Sequence, residues 1–220
     1  MEYAVEYRAR KTLGICVHPD GSVEVKAPME APLEQIRKHV HHRAPWIYKQ
    51  QRYFSSFGIH TPERKYVSGE SHLYLGRQYM LRVVDSERNE VHYKGNILEV
   101  ECRRRKDVRS LLMAWYRKRA EIKFEEYAAP LIARFNRYQV KPSAIKLKEM
   151  ATRWGSCTAT GQILLNPRLV CAPRICIEYV IIHELCHLVH RNHTKDFYEL
   201  LTQEMPDWKK WKMKLEKLMI

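Results

Sequence analysis

Apolar residues follow two rhythms along this chain, and the changes between them mark its elements. Near the start they alternate. Tyr3–Arg8 and Leu13–His18 read as strands, Pro19-Asp20-Gly21 as a turn, and Val23, Val25 and Ala27 alternate away from it. From Pro32 the spacing becomes helical through about Phe54, with Ile36, Val40, Trp46 and Ile47 as the apolar face. A polar, proline-containing connector covers 58–64. Strands return over 66–101 at Leu73–Leu75, Tyr79-Leu81-Val83 and Ile97–Val100, divided by Gly76 and by Lys94-Gly95-Asn96. Together these predict a small antiparallel sheet.

The helical period then runs from Asp107 to about Arg137. Val108, Leu111, Leu112 and Trp115 lie on one side, continued by Phe124, Ala128, Leu131 and Phe135. Pro130 predicts a bend or interruption, because it lacks the amide hydrogen that the ladder needs. Short strands are expected at Ile145–Met150, Thr152–Thr158 and Gln162–Asn166, with Thr160-Gly161 turning between the last two. Pro173 opens another helix. A last one follows Pro206-Asp207, with Trp208, Trp211 and Leu215 facing inward. The expected class is α+β: helices packed on a small antiparallel sheet over 103–220, preceded by a β-rich part with one helix over 1–102.

The helix after Pro173 carries the most telling chemistry. His183-Glu184-Leu185-Cys186-His187 sets two histidines four residues apart, hence on one helical face, where both imidazoles can reach one metal ion. Glu184 stands beside them, placed to exchange a proton with a water on that metal. The stretch from Tyr179 to Leu188 is otherwise apolar, so burying these groups has a desolvation cost that needs a reason; two satisfied core histidines are the plainer alternative to a metal site. Cys186 reads as a small buried hydrophobe pointing away from the histidines.

The third ligand has several candidates. His190 shares the histidine face, but seven residues of helix rise about 10 Å, too far for two rings to meet at bonds of about 2 Å. His193 lies beyond the turn-prone Arg191-Asn192 and can approach from another direction. Thr194 then suits the N-cap of a helix carrying Phe197 and Leu201. Glu199 and Glu204 are the carboxylate alternatives. His193 is favoured, and the expected cofactor is Zn2+.

Tyr179 to Leu188, Asn192-His193-Thr194, the upstream Arg153-Trp154-Gly155-Ser156-Cys157 and Ile163-Leu164-Leu165-Asn166 together resemble the YgjP-like metallopeptidase family. Order and spacing agree from Lys146 to about Leu201. The five-residue step from the second motif histidine to His193 is also similar to WLM and SprT-like proteases, which act on DNA–protein crosslinks. The resemblance implies a zincin-type fold, a zinc hydrolase and a family domain spanning nearly the whole chain. It leaves the substrate open, because sites rather than folds carry function. In zincins a strand borders the cleft and pairs with extended substrate. Arg153, Trp154, Gly155 and Ser156 are the matching substrate-binding candidates. Gly155 permits close backbone approach, and Arg153 offers a partner for a carboxylate, phosphate or oxyanion. Arg153 reads equally as a structural ion-pair partner, whereas Trp154 reads better as a core anchor and Cys157 as packing.

Composition narrows the setting. Hydrophobic residues make up 45% and charged ones 29% of the 220, which describes an ordinary globular chain. No apolar run approaches the roughly 18 residues of a membrane span. Met1 to Glu6 lack a basic start and an apolar block, so no signal peptide is read there. The six cysteines are scattered without a CxxC pair, which suggests reduced thiols and a cytoplasmic setting. The net charge of +14 concentrates in 101–150, with 14 Lys and Arg against 6 Asp and Glu. The basic segment 103–119 is thus a candidate site for nucleic acid, a nucleotide or an acidic protein, or else a solvated helix face. The expected function is a zinc metallopeptidase acting on peptide or protein, with Glu184 as general base. The alternatives are a nucleotide phosphohydrolase and a nucleic-acid-associated module with a structural zinc.

Overall fold

The computed structural model describes residues 2–18, 20–55 and 64–218, the side chains of Tyr53 and Phe54 aside. Most of the 58–64 connector and Pro19 of the first turn therefore lie outside the described residues. The chain forms two compact units, Met1–Glu63 and Arg64–Met219.

The first unit holds β1 (Ala4–Arg8), β2 (Gly14–Val17), β3 (Val23–Pro28) and α1 (Leu33–Ser55). Strand β3 is central, parallel to β1 and antiparallel to β2. The alternation along β3 buries Val23, Val25 and Ala27 against Ile36, Val40 and Ile47 of α1. Trp46 was expected on that face but is 40% exposed. Ile36, Val40 and Ile47 keep helical spacing with one another, and Trp46, one position before Ile47, points off that stripe.

The second unit begins with β4 (Ser71–Tyr74), β5 (Arg77–Asp85), β6 (Glu90–Lys94) and β7 (Ile97–Cys102), in the order β4-β5-β7-β6. Strands β5 and β7 run parallel, so the sheet is mixed rather than antiparallel. The reason is β6, which no apolar alternation announced: it pairs antiparallel with β7 and takes the edge, leaving β7 beside β5. Leu75 and Gly76, both at positive φ, make the two-residue turn between β4 and β5. The amide hydrogens of this turn bond to the carbonyls of Val170 and Cys171, in a 3-10 turn just before the next long helix but one.

Helix α2 (Val108–Phe135) runs without interruption through Pro130. Tyr127, Ala128, Leu131 and Phe135 around it are all buried, and that packing outweighs one missing hydrogen bond. A second mixed sheet follows: β8 (Ala144–Leu147), β9 (Gly155–Cys157) and β10 (Gln162–Leu165), ordered β8-β10-β9. Its strands are shorter than expected; only 155–157 of the anticipated Thr152–Thr158 pair with β10. Helices α3 (Arg174–Val189), α4 (Lys195–Glu204) and α5 (Trp208–Lys217) complete the unit. Trp208 and Leu215 are buried, whereas Trp211 is only partly so.

One core joins both sheets of this unit to α2, α3, α4 and α5. The division therefore falls at 63/64 instead of the expected 102/103: Tyr79, Leu81, Leu98 and Val100 of the four-stranded sheet share that core with Leu112 and Phe124 of α2. The class is α+β, as expected. Among the described residues, no helix is long and apolar enough to cross a membrane.

Candidate metal centre

Helix α3 is the most apolar helix of the chain, buried from Cys176 to Cys186 apart from Glu178 and His183. It ends where His190 turns extended, and α4 restarts five residues later with Thr194 at its N-cap. The Thr194 side chain makes no capping bond, so its backbone rather than its hydroxyl supplies the turn. This break folds His193 back over the motif. One ligand-capable atom from each of His183, His187 and His193 lies within 4.8 Å of the others. Nε2 of His193 is 3.1 Å from Nε2 of His183, near the roughly 3.3 Å separating two ligands of one tetrahedral zinc.

The donor set fits a metal. Burial and the neighbouring His187 and His193 push His183 down to about 3, which keeps it in the neutral form that ligates. His187 and His193 are lowered too, mainly by burial. Nδ1 of His187 lies 3.2 Å from the carbonyl of His190, a contact that puts the proton on Nδ1 and frees Nε2. Phe197 of α4 wedges against all three imidazoles, its centroid 5.0, 4.6 and 4.7 Å from those of His183, His187 and His193.

The other ligand candidates are engaged elsewhere or stand outside the cluster. Glu204 is buried at the far end of α4, where Arg134 (2.8 Å), Arg137 and the Tyr138 hydroxyl hold it. Glu199 is exposed and pairs with Lys195 at 3.3 Å. His190 contributes its carbonyl to His187 rather than its ring to the cluster.

Glu184 is 5% exposed, and its Oε2 has no hydrogen-bond partner among the described residues. Burial pushes its carboxyl up to about 8, against the opposing pull of the Arg153 charge and the Cys157 amide hydrogen. The Cys157 amide hydrogen thus reaches this carboxylate while Oε2 is left without a partner among the described residues.

Gly155 explains how Glu184 fits. A Cβ on Gly155 would stand 2.6 Å from Glu184 Oε1 and 2.9 Å from Val180. The close approach anticipated for substrate is thus made first by the glutamate itself. Strand β9 is an edge, paired with β10 alone, and borders a cleft of about 880 Å³. Arg153, Trp154, Gly155 and Ser156 all line that cleft, as do His183, Glu184, His187 and His193. The loop carrying Arg153 and Trp154 is fastened by buried Asn166. Its side-chain amide donates to the carbonyls of Met150 (2.8 Å) and Arg153 (3.0 Å), and its backbone amide to that of Trp154 (2.8 Å).

Four cleft residues had drawn no notice as functional: Arg191, Tyr198, Lys212 and Glu216. Arg191 could have been found, since it lies between His187 and His193. The others come from α4 and α5, and only the fold brings them in. The expected basic segment looks different in space. Arg104 pairs with Asp107 at 2.8 Å, Arg105 with Asp85 at 2.8 Å, and Arg103 bonds to the Glu87 carbonyl at 2.5 Å.

Comparison with known proteins identifies a family. The chain matches the family described as "YgjP-like, metallopeptidase domain" over residues 11–218. No curated protein matches it significantly.

Proposed function

The chain belongs to the YgjP-like metallopeptidase family, and we propose that it hydrolyses peptide bonds with a zinc ion held by His183, His187 and His193. The observation that carries this reading is the convergence of three neutral imidazoles beside a buried, unpaired glutamate. When bound, zinc supplies Lewis acidity, lowering the pKa of a coordinated water toward roughly 7 and polarising a carbonyl. Glu184 then acts as general base for the attacking water and returns the proton to the leaving amine. Its place in the cleft beside the three histidines favours that role, with one oxygen free of any competing hydrogen bond among the described residues. The free edge of β9 aligns an extended peptide across the cleft. Arg153, with Trp154, Gly155 and Ser156, borders the bound chain.

A second reading has a specific observation in its favour: Arg153, Arg191 and Lys212 on the cleft also suit the phosphates of a nucleotide. Glu184→Gln tests the chemistry common to both. The variant should fold and hold zinc while turnover falls by about 10²–10⁴. Running peptides and nucleoside triphosphates side by side assigns the substrate. Full activity in Glu184→Gln, measured with zinc content in the same preparation, sinks the mechanism.

A further inference from the structure

The cleft is lined by three long basic side chains from three separate elements: Arg153 before β9, Arg191 in the turn between α3 and α4, and Lys212 on α5. Among the described residues, its lining carboxylates are Glu184 and Glu216. Glu216 lies 3.8 Å from Lys212 and offsets that charge. Arg153 and Arg191 are both exposed, and among the described residues neither has an acidic partner within ion-pair distance. The arginines at 103–105, by contrast, each find a carboxylate within 4 Å. Arg153 lies two residues before β9 begins, and Arg191 enters the same cleft from the turn between α3 and α4.

Accepting the peptidase reading, we infer that Arg153 and Arg191 form an acidic-residue subsite, selecting peptides with Asp or Glu close to the scissile bond. A guanidinium offers a planar fork that fits a carboxylate with two hydrogen bonds. A peptide laid along β9 carries alternate side chains into the cleft that both arginines line. Cleft walls exclude part of the solvent, so the attraction exceeds that of a fully exposed pair.

The test separates binding from cleavage. Zinc-loaded Glu184→Gln protein is titrated with a fluorescent Glu-containing peptide and its Gln counterpart, followed by anisotropy. The Glu peptide should bind about 10-fold tighter, the size of one charged hydrogen bond. Arg191→Glu should abolish or invert the preference. Lys118→Glu makes the same charge change on the exposed face of α2 and should preserve it. Equal affinity for the two peptides overturns the subsite, as does a preference lost equally in Lys118→Glu, which would mark it as general attraction to a basic protein. Binding of a nucleoside triphosphate without binding of the Glu peptide overturns it in favour of phosphate. If the preference holds but wild-type protein cleaves neither peptide, the subsite stands and the peptidase reading falls.

Discussion

Glu184 on α3 and Glu204 at the end of α4 are both nearly inaccessible, 5% and 7% exposed, yet their surroundings are opposite. Around Glu204 the chain brings Arg134 from α2, with Arg137 and the Tyr138 hydroxyl from the turn just beyond it, so the buried charge is compensated. Around Glu184 the packing is apolar on the α3 side. One carboxylate oxygen has no partner, and the nearest cation effect comes from Arg153 without a hydrogen bond. A folded chain tolerates an uncompensated buried carboxyl only at a cost, and here that cost is located beside three converging histidines. Glu204 ties α4 to α2. Glu184 makes no such tie, and its Oε2 stays without a hydrogen-bond partner among the described residues.

Exchanging each glutamate for its amide should break the comparison most visibly in turnover. Glu184→Gln is expected to lose about 10²–10⁴ in rate, whereas Glu204→Gln should keep near wild-type turnover per folded molecule. A large loss at Glu204 in fully folded, zinc-loaded protein would refute its purely structural role.

The pH dependence of stability sharpens the contrast. In zinc-free protein the Glu184 carboxyl is raised from 4.5 to about 8, so the folded state keeps a proton that the unfolded chain releases. Its contribution is full below the unfolded pKa and is lost as pH rises through the folded one. Wild type should therefore fall behind Glu184→Gln by roughly 2–4 kcal/mol between about pH 5 and pH 8, read by denaturant unfolding in chelator. The depressed His183 works in the other direction, its contribution lost as pH falls from 6.5 toward about 3, and it cancels between the two proteins. A gap independent of pH would mean that Glu184 is ionised in the zinc-free fold.

Stability at constant pH gives a smaller effect of opposite assignment. Glu204→Gln removes the charge facing two arginines, but these are 39% and 50% exposed and can hydrate. A loss of about 1–3 kcal/mol is expected, below the range for fully buried pairs. Smallest of all is the basic segment. The Arg105–Asp85 pair has both side chains about two-thirds exposed, and Arg105→Ala should leave the melting temperature essentially unchanged.

What was legible from sequence follows one rule. His183, Glu184 and His187 are set by the local repeat of one helix, and His193 by the break that follows it; their relation needs nothing from elsewhere in the chain. The same holds for α1, α2 and α5, whose apolar faces recur at helical spacing, and for the alternation along β3. Local pattern failed where a distant element decided. Trp46 has helical spacing but faces away from its sheet, and Pro130 is carried through by the packing around it. The parallel pairing of β5 with β7 depends on where β6 lands, and no residue in either strand announces it.

The sequence by itself determined the metal-ligand and general-base candidates, the α+β class and the family. The tertiary structure alone decided that Gly155 makes room for a carboxylate 29 positions away, that Glu204 belongs to Arg134 and Arg137, and that Arg191 and Lys212 share the cleft with Arg153. The first group is written in spacing along a single helix and its following turn, where covalent geometry sets the distances. The second arises from contacts between elements far apart in the chain. Such contacts exist only once the shared core has fixed how those elements pack.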